Sequence, residues 1–277
     1  MPLARETIIT LGSTLPPALG IFGRLQARLR DANTGLDDIV ELVRVDPALT
    51  FQIIRLSNSV LYGLKNQCQS LDEAVARVGF AEIQQVVGLI VARKSFQGEL
   101  HLYGLAAGRL WENAVAAGSL MAAFAQRAGV DPAAAYATGL LRNIGVVVLN
   151  NHAGAVRYPG EAERPDVHAW ERETYGVTSV DVTSMLLEHW RFSPSAVAAT
   201  RGHLAPEFAG AHAGPAAQLH LACAVAAEWG CAIPGEAAWR NDPAMHALSG
   251  VADDEWEGAV EDARRQFARF AVLEWSE

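Results

Sequence analysis

Apolar positions recur at intervals of three and four residues along most of the chain, the pattern of helices that bury one face. Leu19, Phe22, Leu25 and Leu29 form one such stripe over residues 18–30, and Leu36, Ile39, Val40 and Val43 another over 36–45. Asp46-Pro47 pairs a capping side chain with a first-turn proline, predicting a helix through Ser57 with Leu49, Ile53 and Leu56 inward. Ser70 with Glu73 three residues on is a capping box, and Gly79 ends the helix it opens. A further helix is expected from Phe80 to Lys94. Residues 98–108, bracketed by glycines, are the loosest stretch and divide the chain into two lobes.

The second lobe opens with a helix over 110–128, ended by Gly129. Asp131-Pro132 repeats the cap-and-proline device and starts a central helix running without interruption to about Asn150. Residues 152–166 read as loop. Helices follow over 167–175, 179–190, 195–203 and 215–229, separated by a polar stretch at 204–214. A last helix over 253–275 carries Trp256, Val260, Phe267, Phe270 and Leu273. Residues 5–12 are a short helix or arm. No alternating strand pattern and no internal repeat occurs, so the expected fold class is all-α, in two helical lobes.

One detail breaks the apolar pattern. Tyr136 to Leu149 reads as a buried helix, yet Arg142 and Asn143 stand side by side in its middle. Both are costly to bury unless hydrogen-bonded, so something polar must face them. Gly139 and Gly145 in the same run look like close-packing positions and not a phosphate loop, since no Lys-Ser/Thr follows.

Composition narrows the function classes. The 277 residues carry a formal net charge of −9, lysine is nearly absent, and no basic run exceeds two residues, which argues against nucleic acid as a partner. Three cysteines, Cys68, Cys223 and Cys231, show no metal spacing and fit a reducing compartment. No signal peptide is expected at the start, and the apolar runs are interrupted before a membrane-spanning length, so a cytoplasmic protein is expected. The chain is too short to hold an attached receiver, cyclase or kinase segment, so input or output is expected from a separate partner.

Four stretches resemble the HDOD domain, an output-domain relative of the HD-domain metal-dependent phosphohydrolases. They are Leu15-Pro16-Pro17 before a helix; Asp46-Pro47 through Asn58-Ser59; Ser70 through Gly79; and Leu110-Trp111 together with Gly139 through Gly145. The resemblance covers roughly residues 15–205. It implies an N-terminal helical lobe at 15–97, an HD-like helical bundle at 110–205, an arm at 1–14, and C-terminal helices at 206–277 that complete or pack on the bundle.

HD hydrolases hold a divalent metal with an adjacent His-Asp pair on the central helix and further histidines from its neighbours. By resemblance, Arg142-Asn143 stands where that pair belongs, and Asn113 and Ser179 stand where histidines belong. The late His pair is Gly202-His203. A guanidinium is always charged and offers no lone pair, so it repels a metal ion. One histidine is too few, because catalytic metals usually have about three protein ligands. The expectation is therefore no metal, no cofactor and no catalysis.

Asn113, Arg142, Asn143, Ser179 and His203 admit two readings: an internal polar network that fixes helix register, or a vestigial pocket binding a nucleotide or other anion through Arg142. Arg142 could also pair with a buried carboxylate. The remaining histidines, including His168 and His220, read as structural surface or loop positions. Asp46, Pro47, Asn58 and Ser59 serve as caps and turns, or shape a groove for a partner. The resemblance implies bacterial signal transduction by protein–protein interaction with a partner the sequence does not identify. Trp229, Trp239, Trp256 and Trp275 suggest either late-packing helices or an exposed surface for a partner or a homodimer.

Overall fold

The computed structural model describes residues 3–59, 66–236, 239 and 242–271. The regular elements among these are all helices, and the only backbone pairing of strand type among them is the isolated Leu100–Leu105 bridge. The N-terminal helices are α1 (Arg5–Gly12), α2 (Ala18–Leu29), α3 (Leu36–Arg44), α4 (Pro47–Ser57), α5 (Leu71–Val78) and α6 (Phe80–Phe96). Their starts follow the caps in the sequence. The Asp46 carboxylate accepts from Leu49 N at 3.0 Å, and the Ser70 hydroxyl from Glu73 N at 3.2 Å. At the end of α4, the Asn58 side chain exchanges two hydrogen bonds with the Cys68 backbone, at 2.6 and 2.8 Å, and Ser59 donates to Leu56 O at 2.6 Å. Asp46, Pro47, Asn58 and Ser59 thus act locally, closing the two ends of one helix.

The second half is built on α7 (Arg109–Arg127), which packs against α8 (Pro132–Leu141), α13 (Ala213–Glu228) and α15 (Asp253–Ala271). Around it lie α9 (Ile144–His152), α10 (Val167–Tyr175), α11 (Ser179–His189), α12 (Pro194–Gly202) and α14 (Pro243–Ser249). Close approach of α7 and α8 depends on glycine, since a Cβ on Gly139 would lie 2.6 Å from Ala117 O. One core runs from Ile8 through α2–α6 into α8, α9 and α11. A second, alanine-rich core lies between α7, α13 and α15, with Ala222, Ala259 and Ala263 fully buried.

Three expectations need correction. The central helix is interrupted: α8 ends at Leu141, residues 142–143 form a turn, and α9 begins at Ile144. The cause is packing on α11. A Cβ on Gly145 would lie 2.0 Å from Ser179 O, and Gly145 N donates to the Thr183 hydroxyl at 2.9 Å instead of continuing the helical ladder. Residues 98–108 are not loose, because Leu100, Leu102 and Tyr103 are buried and Leu102 is held by Asn150 Oδ1 at 2.9 Å and by Tyr158 N at 2.7 Å. Residues 204–214, read as a polar connection, contain two single 3₁₀ turns, and α14 was not assigned from the sequence although Asp242-Pro243 repeats the cap-and-proline device and Gly250 ends the helix. The seam of α15 is formed by Ala259, Ala263 and Phe270, while Trp256, Val260 and Phe267 are half-buried. Leu273 and Trp275 lie outside the described residues.

The described tryptophans of the C-terminal region are engaged within the chain. Trp256 stacks on Phe124 at 4.7 Å, Trp229 lies under the Arg264 guanidinium at 5.0 Å, and Trp239 stacks on His220 at 4.9 Å. The stretch Pro132–His152 is long and apolar enough to cross a membrane, and 89% of its most apolar window is buried inside the fold.

Two glycine substitutions separate close packing from helix propensity. Gly145→Ala is expected to destabilise by about 2–3 kcal/mol or more, because Ser179 O is backbone and cannot yield. Gly20→Ala in α2, whose Cβ meets nothing within 4 Å, is expected to stabilise by about 0.5–1 kcal/mol. Urea denaturation of both variants checks the pair.

Candidate functional site

The turn at 142–143 has a consequence for side-chain direction. Adjacent residues of a regular helix point about 100° apart. Here both reach one acceptor: Arg142 Nη2 donates to Asn113 Oδ1 at 2.6 Å, and Asn143 Nδ2 donates to the same oxygen at 2.9 Å. Arg142 Nη1 also donates to Asn143 Oδ1 at 3.2 Å. Asn113, on α7, is fully buried, and Arg142 is only 3% exposed.

The counter-charge comes from Glu236, in the non-helical segment after α13. Its Oε1 lies 2.6 Å from Arg142 Nη2. Its Oε2 accepts from Asn113 Nδ2 at 2.8 Å and from Ile233 N at 3.3 Å. Asn113 Nδ2 also donates to Cys231 O at 2.8 Å. Burial alone lowers the affinity of Arg142 for its proton, but the neighbouring Glu236 carboxylate outweighs it and the guanidinium stays charged. Cys223, within electrostatic range, is pushed up by burial and remains a neutral thiol, so it supplies no competing anion.

A second hub faces the first across a small cavity. Glu171, on α10 and 1% exposed, accepts from the Tyr103 hydroxyl at 2.6 Å, from Ser179 N at 2.7 Å and from the Ser179 hydroxyl at 3.0 Å. His168 Nδ1 lies 3.2 Å from the same carboxylate. Burial first, and then Glu171, push the Tyr103 phenol well above its ordinary value, so it is a hydrogen-bond donor at neutral pH. The cavity is lined by Arg142, Asn143, Ser179 and His203 as well as Glu171 and His168. It offers about 20 Å³ to a water-sized occupant, against the roughly 10–15 Å³ that one water needs.

Arg142, Asn143, Ser179 and His203 therefore share one cavity, while Asn113 stands behind Arg142 and orients it. Two carboxylates, Glu171 and Glu236, were not singled out from the sequence. His168, read there as a surface or loop histidine, is half-buried against Glu171, and His220 stacks on Trp239 beside His203. Glu171 was legible in principle, because Val167, Trp170 and Tyr175 mark the inward face of α10 and position 171 falls on it. Glu236 had no such signal.

These residues do not fit a divalent metal. Arg142 and Asn143 present a guanidinium and an amide, and the nearest carboxylate, Glu236, is committed to that guanidinium. Among the described residues, no group of three or more His, Cys, Asp or Glu side chains is arranged to share an ion.

His203 is 2% exposed and uses Nδ1 on Thr200 O at 2.6 Å. Burial, then the Arg142 charge, lower its pKa from 6.5 to about 3. The folded protein therefore holds it neutral while the unfolded chain protonates it. Its contribution is fully present above about pH 6.5 and is lost as pH falls toward 3, by at most about 1.4 kcal/mol per pH unit. Urea melts between pH 7 and 4.5 are expected to show a shallower acid slope for His203→Asn than for the wild type, and equal slopes would refute this account.

Comparison with known proteins places the fold. An uncharacterized protein of Treponema pallidum (strain Nichols) is 29% identical over 140 residues, 46% of this chain and 24% of that protein. A crystal structure from Marinobacter aquaeolei VT8, named provisionally as a signal transduction protein, superposes with a TM-score of 0.75 at 22% identity. The superposition covers 98% of this chain and 60% of that one. This chain thus spans about a quarter of the curated relative and three fifths of the Marinobacter protein. An HDOD domain protein of unknown function from Geobacter sulfurreducens gives 0.67 at 19% identity, over 97% of this chain and 99% of that one. A protein of Shewanella amazonensis SB2B, named provisionally as a phosphohydrolase, gives 0.67 at 22%, over 92% of each. At these identities the solved structures establish a common fold. The family assignment rests on the HDOD domain model, which matches residues 15–206, the greater part of the sequence. With the four signature stretches and the helical bundle in agreement, the chain belongs to the HDOD domain family.

Proposed function

We propose that this chain is a non-catalytic, cytoplasmic signal-transduction protein that acts by binding other proteins. The observation that carries the reading is the Arg142–Glu236 pair at 2.6 Å, with Asn113 bridging both partners, at the positions that the resemblance sets against the HD metal ligands. A pocket whose charges are paired internally has no electrophile to offer a phosphate ester. Its space of about 20 Å³ admits water and excludes a nucleotide. The HDOD family and the signal-transduction name of the Marinobacter relative support a signalling role. With the pocket occupied by its own side chains, transmission falls to the helical surface.

The alternative is a sensor that takes a nucleotide or another anion at Arg142, and it requires the pocket to open. Elemental analysis of protein purified without added metal is expected to give no stoichiometric Mn, Fe, Ni or Mg. Assays on nucleotide phosphates with each metal added are expected to give no turnover. Bound metal with turnover would return the chain to the hydrolases. Nucleotides are expected to leave the wild-type melting temperature unchanged. A saturable upward shift that Arg142→Ala abolishes would instead support the sensor.

A further inference from the structure

Glu236 brings the counter-charge of the Arg142 network from outside residues 15–206, the part matched to the family. Its segment, 231–236, has no helix or strand. Besides Glu236, Ile233 and Cys231 are buried in the two apolar cores and Cys231 N donates to Ala226 O at 2.9 Å. Asn113 holds Cys231 O at 2.8 Å, Arg109 holds Gly230 O at 2.7 Å, and Gly235 N donates to Glu161 Oε1 at 2.6 Å. The same residues wall three spaces. Ile233, Pro234 and Glu236 close the small cavity beside Arg142. Gly235 borders an open groove of about 410 Å³ with His168, Arg172 and Leu204. Ala232, Ile233 and Pro234 border a recess of about 290 Å³ with Tyr103 and Tyr158. The strap thus stands between the cavity beside Arg142 and the two open recesses.

The seat of Glu236 has the form of a carboxylate site. One oxygen takes Arg142 Nη2 and the other takes Asn113 Nδ2, a two-point recognition of a planar anion by donors that belong to the bundle. Arg142 Nε is a further donor, buried and without a partner among the described residues.

We propose that residues 231–236 form an autoinhibitory strap, whose Glu236 carboxylate is a tethered ligand filling a carboxylate-binding site made by Arg142 and Asn113. The site takes a small free carboxylate when the strap leaves it. This rests on the reading that a guanidinium, not a metal, occupies the pocket, and it adds a ligand class and a gate to that reading.

The test uses the full chain with formate and acetate as probes. Glu236→Ala removes the tethered carboxylate and leaves both donors in place. It is expected to melt below wild type and to regain at least roughly half of the lost midpoint, saturably, as formate or acetate is added. Chloride at equal ionic strength is expected to restore nothing, and wild type is expected not to respond. The double variant Arg142→Met/Glu236→Ala is expected to lose the response. Equal effects of chloride and carboxylate on Glu236→Ala, or rescue that survives in the double variant, would overturn the proposal.

Should Glu236→Ala fail to fold, Glu236→Gln keeps the shape and removes the charge. Hydrogen exchange is then expected to quicken at amides 232, 233, 235 and 236 while α8 and α9 keep their protection. Loss of protection in strap and helices together would mean an ordinary core pair and would sink the strap. Elemental analysis of the same preparations reads the absence of metal independently, so either idea can fail without the other.

Discussion

A guanidinium that cannot lose its proton lies in the interior of a helical bundle, and the geometry around it follows from that constraint. Removing such a charge from water costs several kcal/mol unless a counter-ion and hydrogen bonds replace its hydration. The chain meets this with Asn113 from α7, Asn143 beside Arg142, and Glu236 from a distant non-helical segment. Asn113 is the pivot: its carbonyl accepts from Arg142 and Asn143, and its amide donates to Glu236 and to the backbone of Cys231. Its four contacts tie two distant stretches of chain, the turn at 142–143 and the segment 231–236, to one position on α7. The turn between α8 and α9 belongs to the same solution, since in an unbroken helix the Arg142 and Asn143 side chains would diverge.

The two carboxylate hubs divide the polar interior into separate tasks. Glu236 answers a charge, while Glu171 gathers neutral donors from Tyr103 and Ser179. His203 lies between them, kept neutral by burial and by the nearby guanidinium. The wall of the cavity thus combines one guanidinium and two carboxylates with two imidazoles, of which His203 is uncharged. That arrangement is the reverse of a metal centre, in which carboxylates and imidazoles converge on a shared cation.

Most of the fold was legible because helix ends are marked by local chemistry. Asp46-Pro47, Ser70 and Asp131-Pro132 each cap the helix that the sequence assigns to them. Gly139 and Gly145 were legible as close-packing positions, and the need for a partner at Arg142 followed from burying it. What the sequence did not carry was determined by distance along the chain. The break at 142–143 depends on Ser179 and Thr183 of α11. The order in residues 98–108 depends on Asn150 and Tyr158. Glu236 lies in a segment with no periodicity, so nothing local distinguishes it from the other acidic residues near it. Long-range contacts do not mark their own partners, and these three features have that character, whereas α14 was marked locally by Asp242-Pro243 and went unread.

The position of Glu236 also bears on what counts as the folding unit. The family match ends at residue 206, yet within 15–206 the Arg142 charge is unbalanced and half of the hydrogen-bonding capacity of Asn113 is unused. Both are completed from residues 231–236, which α13 delivers by packing along α7. Breaking a buried pair by removing one partner typically costs about 3–5 kcal/mol, whereas replacing both with apolar groups is often neutral. Stability alone therefore gives little reason to retain the pair. What the pair confers, and apolar packing does not, is a single arrangement of strap against bundle, held by a carboxylate that another carboxylate could replace.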